Sequence, residues 1–212
     1  TMIVVSTDHG TYTTEHGWTG KLGTYLYDCV THLPMLIYHP GVEPRVEDAI
    51  VSNIDIAPTI LDAGGIEPEQ PMHGKSLLPI LLGQAEKIRD AAHTGFYGRQ
   101  HIVNDGRYAF HLAHDQSQPL YWHGLTQSYF AGAGPAGDIE VAPEGVRRRV
   151  DILPSVREFY LEPALFDLYE DPGQNINLYA ERPDIVRRFE DEIRRFCEEI
   201  NAPPWVLNRL GL

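Results

Sequence analysis

The residues best suited to chemistry stand where the first apolar run of the sequence ends. The run Met2–Thr7 is followed at once by Asp8, His9 and Gly10. A carboxylate offers a divalent cation a hard oxygen ligand, and a neutral imidazole offers it a nitrogen ligand. Residues that leave the carboxyl end of a strand in an open α/β sheet lie where such sheets bind ligands. The alternative is a purely structural role, in which the aspartate caps a turn and the histidine ring is hydrogen-bonded to the backbone.

The elements that must position these residues alternate between strands and helices. Met2–Thr7 and Pro34–Tyr38 are continuous apolar runs, typical of strands buried on both faces of a parallel sheet. A helix is predicted over Ile54–Ala63, where Gly64-Gly65 ends an apolar face. A second, short helix is predicted over Ser76–Leu82, with a serine cap. This alternation predicts α/β structure over residues 1–91, which we expect to be the C-terminal part of an α/β domain.

From about residue 92 the pattern favours a small α+β subdomain that continues to residue 212. Strands are predicted at Tyr97–Val103 and Arg107–Leu112, joined by the turn Asn104-Asp105-Gly106, and again at Ala164–Tyr169. Residues 113–150 show no periodicity and are predicted to form a long irregular loop. The expected architecture is therefore a small antiparallel sheet.

A C-terminal helix is predicted to pack on that sheet. Arg182–Ile200 carries apolar residues three or four positions apart, with Pro183 near its first turn. Its outer face alternates acids with four arginines, which predicts solvation and ion pairing within the helix. These arginines are Arg187, Arg188, Arg194 and Arg195.

Charge and cysteine content exclude several classes of protein. The sequence has 30 acidic and 17 basic side chains and a formal net charge of −13, so it lacks the basic surface of a general nucleic-acid or anionic-membrane binder. Two cysteines, Cys29 and Cys197, cannot form a disulfide scaffold or a CxxC zinc module, and we expect free thiols. No apolar run is long enough to cross a bilayer, and no basic segment typical of a signal peptide precedes Lys21. Because the sequence starts abruptly in a strand, we expect it to be a piece of a longer protein, and the compartment stays open.

Five motifs in order resemble the sulfatase family of the alkaline-phosphatase superfamily. The first runs from Asp8-His9-Gly10 through a Gly-rich loop to Lys21, and the last is the Leu-Phe-Asp-Leu…Asp-Pro…Asn-Leu pattern within Leu165–Leu178. The other three lie within Thr31–Gly41, Val51–Leu61 and Gly74–Gly83. The resemblance covers residues 1–83 and 164–178, and it implies an alkaline-phosphatase-like sheet covered by helices.

The resemblance also implies roles for single residues. Asp8 and His9 correspond to two protein ligands of one divalent cation, most often Ca²⁺, with Mn²⁺ or Mg²⁺ as alternatives. A histidine at the second position resembles the iduronate-sulfatase-like and phosphonate-monoester-hydrolase-like branches. Lys21 matches the lysine that contacts the sulfate and steadies the leaving oxygen. His16 either donates a proton or contacts substrate, or it structures the loop. The aromatic rings of Tyr12 and Trp18 either line the pocket mouth or pack.

The nucleophile that the resemblance implies is not in the sequence. In the family it is a formylglycine made from the cysteine of a Cys-x-(Pro or Ser)-x-Arg motif, whereas Cys29 precedes Val-Thr-His-Leu and Cys197 precedes Glu-Glu-Ile-Asn. The family's upstream Asp-Asp metal pair is also missing. We therefore expect the C-terminal part of a sulfatase that acts on a small-molecule or carbohydrate sulfate ester, inactive and weakly metal-binding on its own. The alternatives are a phosphonate monoester or phosphodiester hydrolase and a non-catalytic binding or structural module.

Three further motifs favour no site. Gly132–Gly137 spells GxGxxG, but Pro135 interrupts it and no helix pattern follows, so a loop is predicted. His111 and His114 stand three apart on a predicted strand and would point to opposite faces, which argues against a shared metal. Arg147–Arg149 is predicted to be solvated.

Overall fold

The computed structural model describes residues 1–20, 26–123, 133–142, 145–152 and 162–212. These residues divide into two compact units. The first unit contains residues 1–20, 27–92 and 104–107, and the second contains residues 93–103 and the described residues from 108 onward. Antiparallel sheets and C-terminal helices confirm the predicted mixed α/β class. Within the described ranges, none of the helices has the length and apolarity needed to span a bilayer.

The first unit combines short strands with short helices. Its strands and helices are β1 (Ile3–Ser6), β2 (Tyr12–Thr13), β3 (Thr19–Gly20), α1 (Asp28–Thr31), β4 (Met35–Tyr38), α2 (Ile56–Ala63) and α3 (Leu78–Leu81). A 3-10 turn over Asn53–Asp55 precedes α2, and Gly65 follows it with φ 66°, so the predicted helix and its glycine ending are confirmed. Helix α3 is shorter than predicted, although Ser76 Oγ still accepts a hydrogen bond from Leu78 N at 3.2 Å.

The pairing of β1 corrects one prediction. β1 and β4 are antiparallel, with Ile3 opposite Tyr38 and Val5 opposite Leu36. These four side chains share one face of the two-stranded sheet, and each is more than half exposed. The expectation of parallel strands buried on both faces was wrong for this pair. An apolar run indicates only that a strand can be buried, and it does not determine whether the neighbouring strand is parallel or antiparallel.

The second unit contains two antiparallel sheets. The larger has the strand order β11-β7-β6-β5 and the smaller has the order β8-β10-β9. The predicted hairpin turn is confirmed, since Gly106 has φ 88° and its N–H donates to Asn104 Oδ1 at 2.7 Å. The strands are β5 (Ala92–Phe96), β6 (Gln100–Asn104), β7 (Tyr108–Ala113), β8 (Leu120–His123), β9 (Ala133–Ala142), β10 (Gly145–Ile152) and β11 (Ala164–Asp167).

The smaller sheet lies where an irregular loop was predicted. β8, β9 and β10 fall within residues 113–150 or reach just past them, so that prediction was wrong. The GxGxxG segment from Ala133 onward is part of β9 rather than a loop, while Gly132 lies outside the described residues. Strand β10 pairs with both neighbours through backbone hydrogen bonds and carries an irregularity between Arg148 and Val150. Backbone pairing of this kind needs no apolar alternation in the sequence, which explains why no periodicity was visible.

The core of the second unit is formed where helix α4 (Pro183–Glu199) packs on the larger sheet. Four residues of its predicted stripe are buried, namely Val186, Phe189, Ile193 and Cys197. The ring of Phe189 stacks on Phe110 of β7 with centroids 5.8 Å apart. Arg194 pairs with Asp191 at 3.1 Å on the outer face, as the charge pattern predicted, and a final helix, α5, covers Pro204–Leu210.

Candidate functional site

The carboxyl end of β1 is fixed by the 3-10 turn that precedes α2. Ser6 Oγ donates to Asn53 Oδ1 at 3.1 Å, and Asn53 Nδ2 donates to the carbonyl oxygen of Thr7 at 2.8 Å. One asparagine side chain therefore accepts from the last residue of the strand and donates to the residue after it. This pairing holds the chain at the point where Asp8 and His9 begin.

The structure brings the side chains of Asp8 and His9 together. His9 Nε2 lies 3.4 Å from Asp8 Oδ2, and the backbone N–H of His9 donates to Asp8 Oδ1 at 3.0 Å. Solvent reaches both groups, with 83% of the Asp8 side chain and 35% of the His9 side chain exposed. The two groups thus form an accessible carboxylate–imidazole pair at the strand end.

The backbone determines which nitrogen His9 presents. Its Nδ1 lies 2.7 Å from the carbonyl oxygen of Gly10, and because a carbonyl only accepts, the proton of the neutral ring must be on Nδ1. In that tautomer Nε2 is the nitrogen with a lone pair, and it lies 3.4 Å from Asp8 Oδ2. Two ligands at right angles around a cation, each about 2.4 Å from it, are also about 3.4 Å apart. The donor types and their spacing fit a divalent cation.

Gly10 is required at the next position by close packing against α1. Its N–H donates to the carbonyl oxygen of Val30 at 2.9 Å. A Cβ atom at residue 10 would lie 2.0 Å from the carbonyl oxygen of Cys29, a distance that no side chain tolerates. The Asp-His-Gly order therefore has a local structural cause at its third residue.

The loop that follows is organised by Glu15 and by aromatic packing. Thr13 Oγ1 donates to Glu15 Oε1 at 2.8 Å, and the backbone N–H of Thr13 donates to the other carboxylate oxygen and lowers the pKa of Glu15. The His16 ring stacks on Tyr27 with centroids 3.7 Å apart, and its backbone has φ 52°. Tyr12 is buried and meets Tyr27 edge-on, so it packs rather than lining a pocket mouth. The stacking supports the structural role of His16, whose substrate role stays a prediction.

The described residues contain only part of the predicted site. Lys21 lies outside them. Within the described ranges, no three His, Cys, Asp or Glu side chains are grouped so that they could hold a metal ion. Asp8 and His9 therefore stand there as a two-residue set, and their role as metal ligands stays a prediction.

Asp55 is a residue whose importance the sequence analysis missed. Its carboxylate is fully buried and pairs with the guanidinium of Arg89, whose Nη2 donates to Oδ1 at 2.6 Å. It also accepts from the backbone N–H groups of Ser52 at 2.7 Å and Lys75 at 2.8 Å. Because Asp55 closes the turn that contains Asn53, it supports the end of β1 indirectly. The capping-box pattern Ser52-x-x-Asp55 was the available signal.

The two cysteines are free, as expected, and neither is a candidate nucleophile. Cys29 is half-buried and Cys197 is buried. Burial raises the pKa of both thiols, which disfavours the reactive thiolate.

Comparison with known proteins shows which family the chain resembles. Residues 14–113 match the family model described as the C-terminal region of N-sulphoglucosamine sulphohydrolase. An extracellular sulfatase SULF-1 homolog of Drosophila melanogaster is 40% identical over 92 residues, which are 42% of this chain and 8% of that protein. Arylsulfatase K of Bos taurus is 26% identical over 207 residues, 96% of this chain and 31% of its own length. The chain is similar to the C-terminal part of sulfatases.

Solved structures show the same fold for this chain. One, in complex with its substrate D-glucosamine-2-N,6-O-disulfate, aligns with TM-score 0.64 at 19% identity and covers 96% of this chain and 35% of that one. The phosphonate monoester hydrolase of Agrobacterium radiobacter aligns with TM-score 0.63 at 21% identity, covering 93% and 35%. The chain corresponds to the C-terminal part of the sulfatase fold and spans about a third or less of the length of these relatives.

Proposed function

We propose that this chain contributes Asp8 and His9 to the divalent-cation site of an enzyme that hydrolyses sulfate esters. The observation that carries the proposal is the convergence of Asp8 Oδ2 and His9 Nε2 at 3.4 Å, with the imidazole proton held on the opposite nitrogen by Gly10. The similarity to sulfatases supports the same reaction. Ca²⁺ is the proposed ion, with Mn²⁺ and Mg²⁺ as alternatives.

The residues of the chain have separate tasks in this proposal. A bound cation would withdraw charge from the non-bridging oxygens of the ester. Asp8 supplies a carboxylate oxygen, and His9 supplies the nitrogen Nε2. The ammonium of Lys21 is proposed to stabilise the alkoxide oxygen that leaves when the ester bond breaks. The formylglycine nucleophile is proposed to come from sequence outside these 212 residues, since neither cysteine stands in the required motif.

The proposed substrate is a sulfated carbohydrate. Support comes from the matched family model, which is named for the hydrolysis of N-sulphoglucosamine, and from the relative solved with D-glucosamine-2-N,6-O-disulfate. The fold does not decide between a sulfate ester and a phosphonate monoester, because structures with each activity align equally well. The phosphonate monoester hydrolase is therefore kept as the second candidate.

Metal binding by the isolated chain is expected to be weak. Two protein ligands leave most of a six- to eight-coordinate Ca²⁺ shell to water. In a titration with Mn²⁺ followed by NMR, we expect selective broadening of the His9 ring signals with a dissociation constant well above micromolar. The broadening should vanish in Asp8→Asn/His9→Gln and persist in the exposed control Glu170→Gln. Micromolar affinity in calorimetry, or broadening that survives the double substitution, would contradict the two-ligand site.

Activity is expected only in the full-length enzyme that contains this chain. Assayed in parallel with an aryl sulfate and a phosphonate monoester, that enzyme should show the higher kcat/KM for the sulfate. Substitution of Asp8 or His9 by alanine should lower kcat/KM by about 10²–10⁴, since electrostatic stabilisation of the transition state is lost. A preference for the phosphonate would favour the second candidate. Turnover of neither compound would favour a non-catalytic module.

A further inference from the structure

A cavity of about 380 Å³ lies in the second unit. Residues of β5, β6, β8, α4 and α5 line it, together with the turn between β5 and β6 and with His114, which follows β7. Its volume falls within the range of small-molecule sites, which are typically about 300–1,000 Å³. The walls are mainly apolar, and the residues that line them include Phe96, Leu120, Phe196 and Trp205.

Three side chains on this wall have polar atoms without partners. The Gln100 side chain is 2% exposed, and neither its amide oxygen nor its amide nitrogen has a hydrogen-bond partner among the residues that the structure describes. The same holds, within those residues, for His114 Nδ1 and Trp205 Nε1. Buried polar atoms are almost always paired. Their concentration around one cavity indicates a ligand that supplies the missing partners.

The charges around the cavity favour an uncharged ligand. Desolvation lowers the pKa of His101 and His114 to about 3, so both rings are neutral at pH 7. The guanidinium of Arg209 is already engaged, since its Nη2 donates to the Gly98 carbonyl at 2.8 Å and to Gln116 Oε1 at 3.0 Å. A cation entering the cavity would lose its hydration beside the positive charge of Arg209. An anion could reach Nη2 of that guanidinium only by displacing one of these neutral acceptors.

The side-chain types of the wall favour a flat ring. Phe96, Tyr97, Phe196 and Trp205 present aromatic surface, on which aromatic rings pack offset or edge-to-face. Gln100 offers both a donor and an acceptor, and Trp205 Nε1 offers a donor. We propose that this cavity binds a small uncharged aromatic molecule that carries an amide or hydroxyl group.

The test uses benzamide as the probe and the indole N–H signal of Trp205 as the reporter. Trp205→Phe identifies that signal among those of the three tryptophans in a ¹H–¹⁵N spectrum of the 212-residue chain. We expect benzamide to shift the signal saturably. Benzoate, its charged counterpart, should bind at least about ten-fold more weakly, and N-acetylglucosamine, which is polar but not aromatic, should give no shift.

Two variants separate the cavity from other sites. Val206→Trp fills the space and should abolish the shift, whereas Asn208→Ala, on the exposed side of α5, should leave it unchanged. Gln100→Met keeps the side-chain length but removes the amide, and it should raise the dissociation constant of benzamide about five- to ten-fold. Far-UV circular dichroism checks that each variant is folded.

The proposal is overturned if benzamide gives no saturable shift, which would mean that water alone pairs the buried atoms. It is also overturned if the shift persists in folded Val206→Trp, or if benzoate or N-acetylglucosamine binds more tightly than benzamide. Should Val206→Trp fail to fold, an unchanged affinity in Gln100→Met would count against the proposal. No arm of the test measures sulfate ester hydrolysis, so its result is independent of the proposed function.

Discussion

Asp55→Ala is expected to lower the free energy of unfolding of the first unit by about 3–5 kcal/mol. The substitution leaves the Arg89 guanidinium largely buried without its carboxylate and removes the acceptor for the N–H groups of Ser52 and Lys75. Since a domain is stable by only about 5–15 kcal/mol, much of the first unit's stability would be lost. Urea unfolding, followed by circular dichroism and by hydrogen exchange of residues in α2, measures the change.

The matched control is the exposed ion pair between Lys87 and Asp90. Asp90→Ala should cost less than about 1 kcal/mol, because solvent screens this pair. A loss in Asp55→Ala no larger than in Asp90→Ala would show that the buried pair does not support the turn. If the turn does fix the end of β1, Asp55→Ala should also accelerate hydrogen exchange at Thr7 and Asp8.

Acidification is expected to destabilise the second unit well above the pH at which carboxylates titrate. His111 is buried, His101 and His114 are partly buried, and desolvation lowers the pKa of each to about 3. In the unfolded chain each titrates near its ordinary value of 6.5, so below that pH the unfolded state binds more protons than the folded one. The stability that these histidines contribute is therefore fully present above pH 6.5 and is lost as the pH falls toward 3. For one such histidine the loss between pH 7 and pH 5 is about 2 kcal/mol.

Urea midpoints at pH 7, 6 and 5 test this dependence. His111→Leu places an apolar side chain against Phe166 and removes one of the three titrating rings. The loss of stability between pH 7 and pH 5 should then be smaller by the contribution of one histidine, even if the variant is less stable at pH 7. His32→Leu, at an exposed position of the first unit, should leave the slope unchanged. Equal midpoints at pH 7 and pH 5 would mean that the buried rings accept protons without penalty.

The features that sequence analysis predicted correctly depend on local signals. Helix α4 was predicted because its apolar residues recur with the helical period, and burial of Val186, Phe189 and Ile193 confirms it. The turn at Asn104–Gly106 was predicted because Asp-Gly favours positive φ, which Gly106 adopts. Asp8 and His9 are adjacent in the sequence, so their proximity could be predicted from the end of a single strand.

What the sequence did not predict depends on distant partners. The direction of β4 relative to β1 is set by the path of the chain between them, and neither strand encodes it. Strands β8 and β10 pair across a long separation without apolar alternation. Asp55 and Arg89 are 34 residues apart, and no spacing rule connects them. The Asp8–His9 pair could thus be predicted, whereas the buried ion pair that supports its strand could not.

The bond from His9 Nδ1 to the Gly10 carbonyl has an evolutionary consequence. Many metal-binding histidines are oriented by a neighbouring carboxylate, which a single mutation can delete. Here the acceptor is the main chain itself, and every amino acid carries a carbonyl. Neighbouring side chains can therefore change during evolution while the backbone still holds the imidazole proton on Nδ1, provided that the local backbone path is retained.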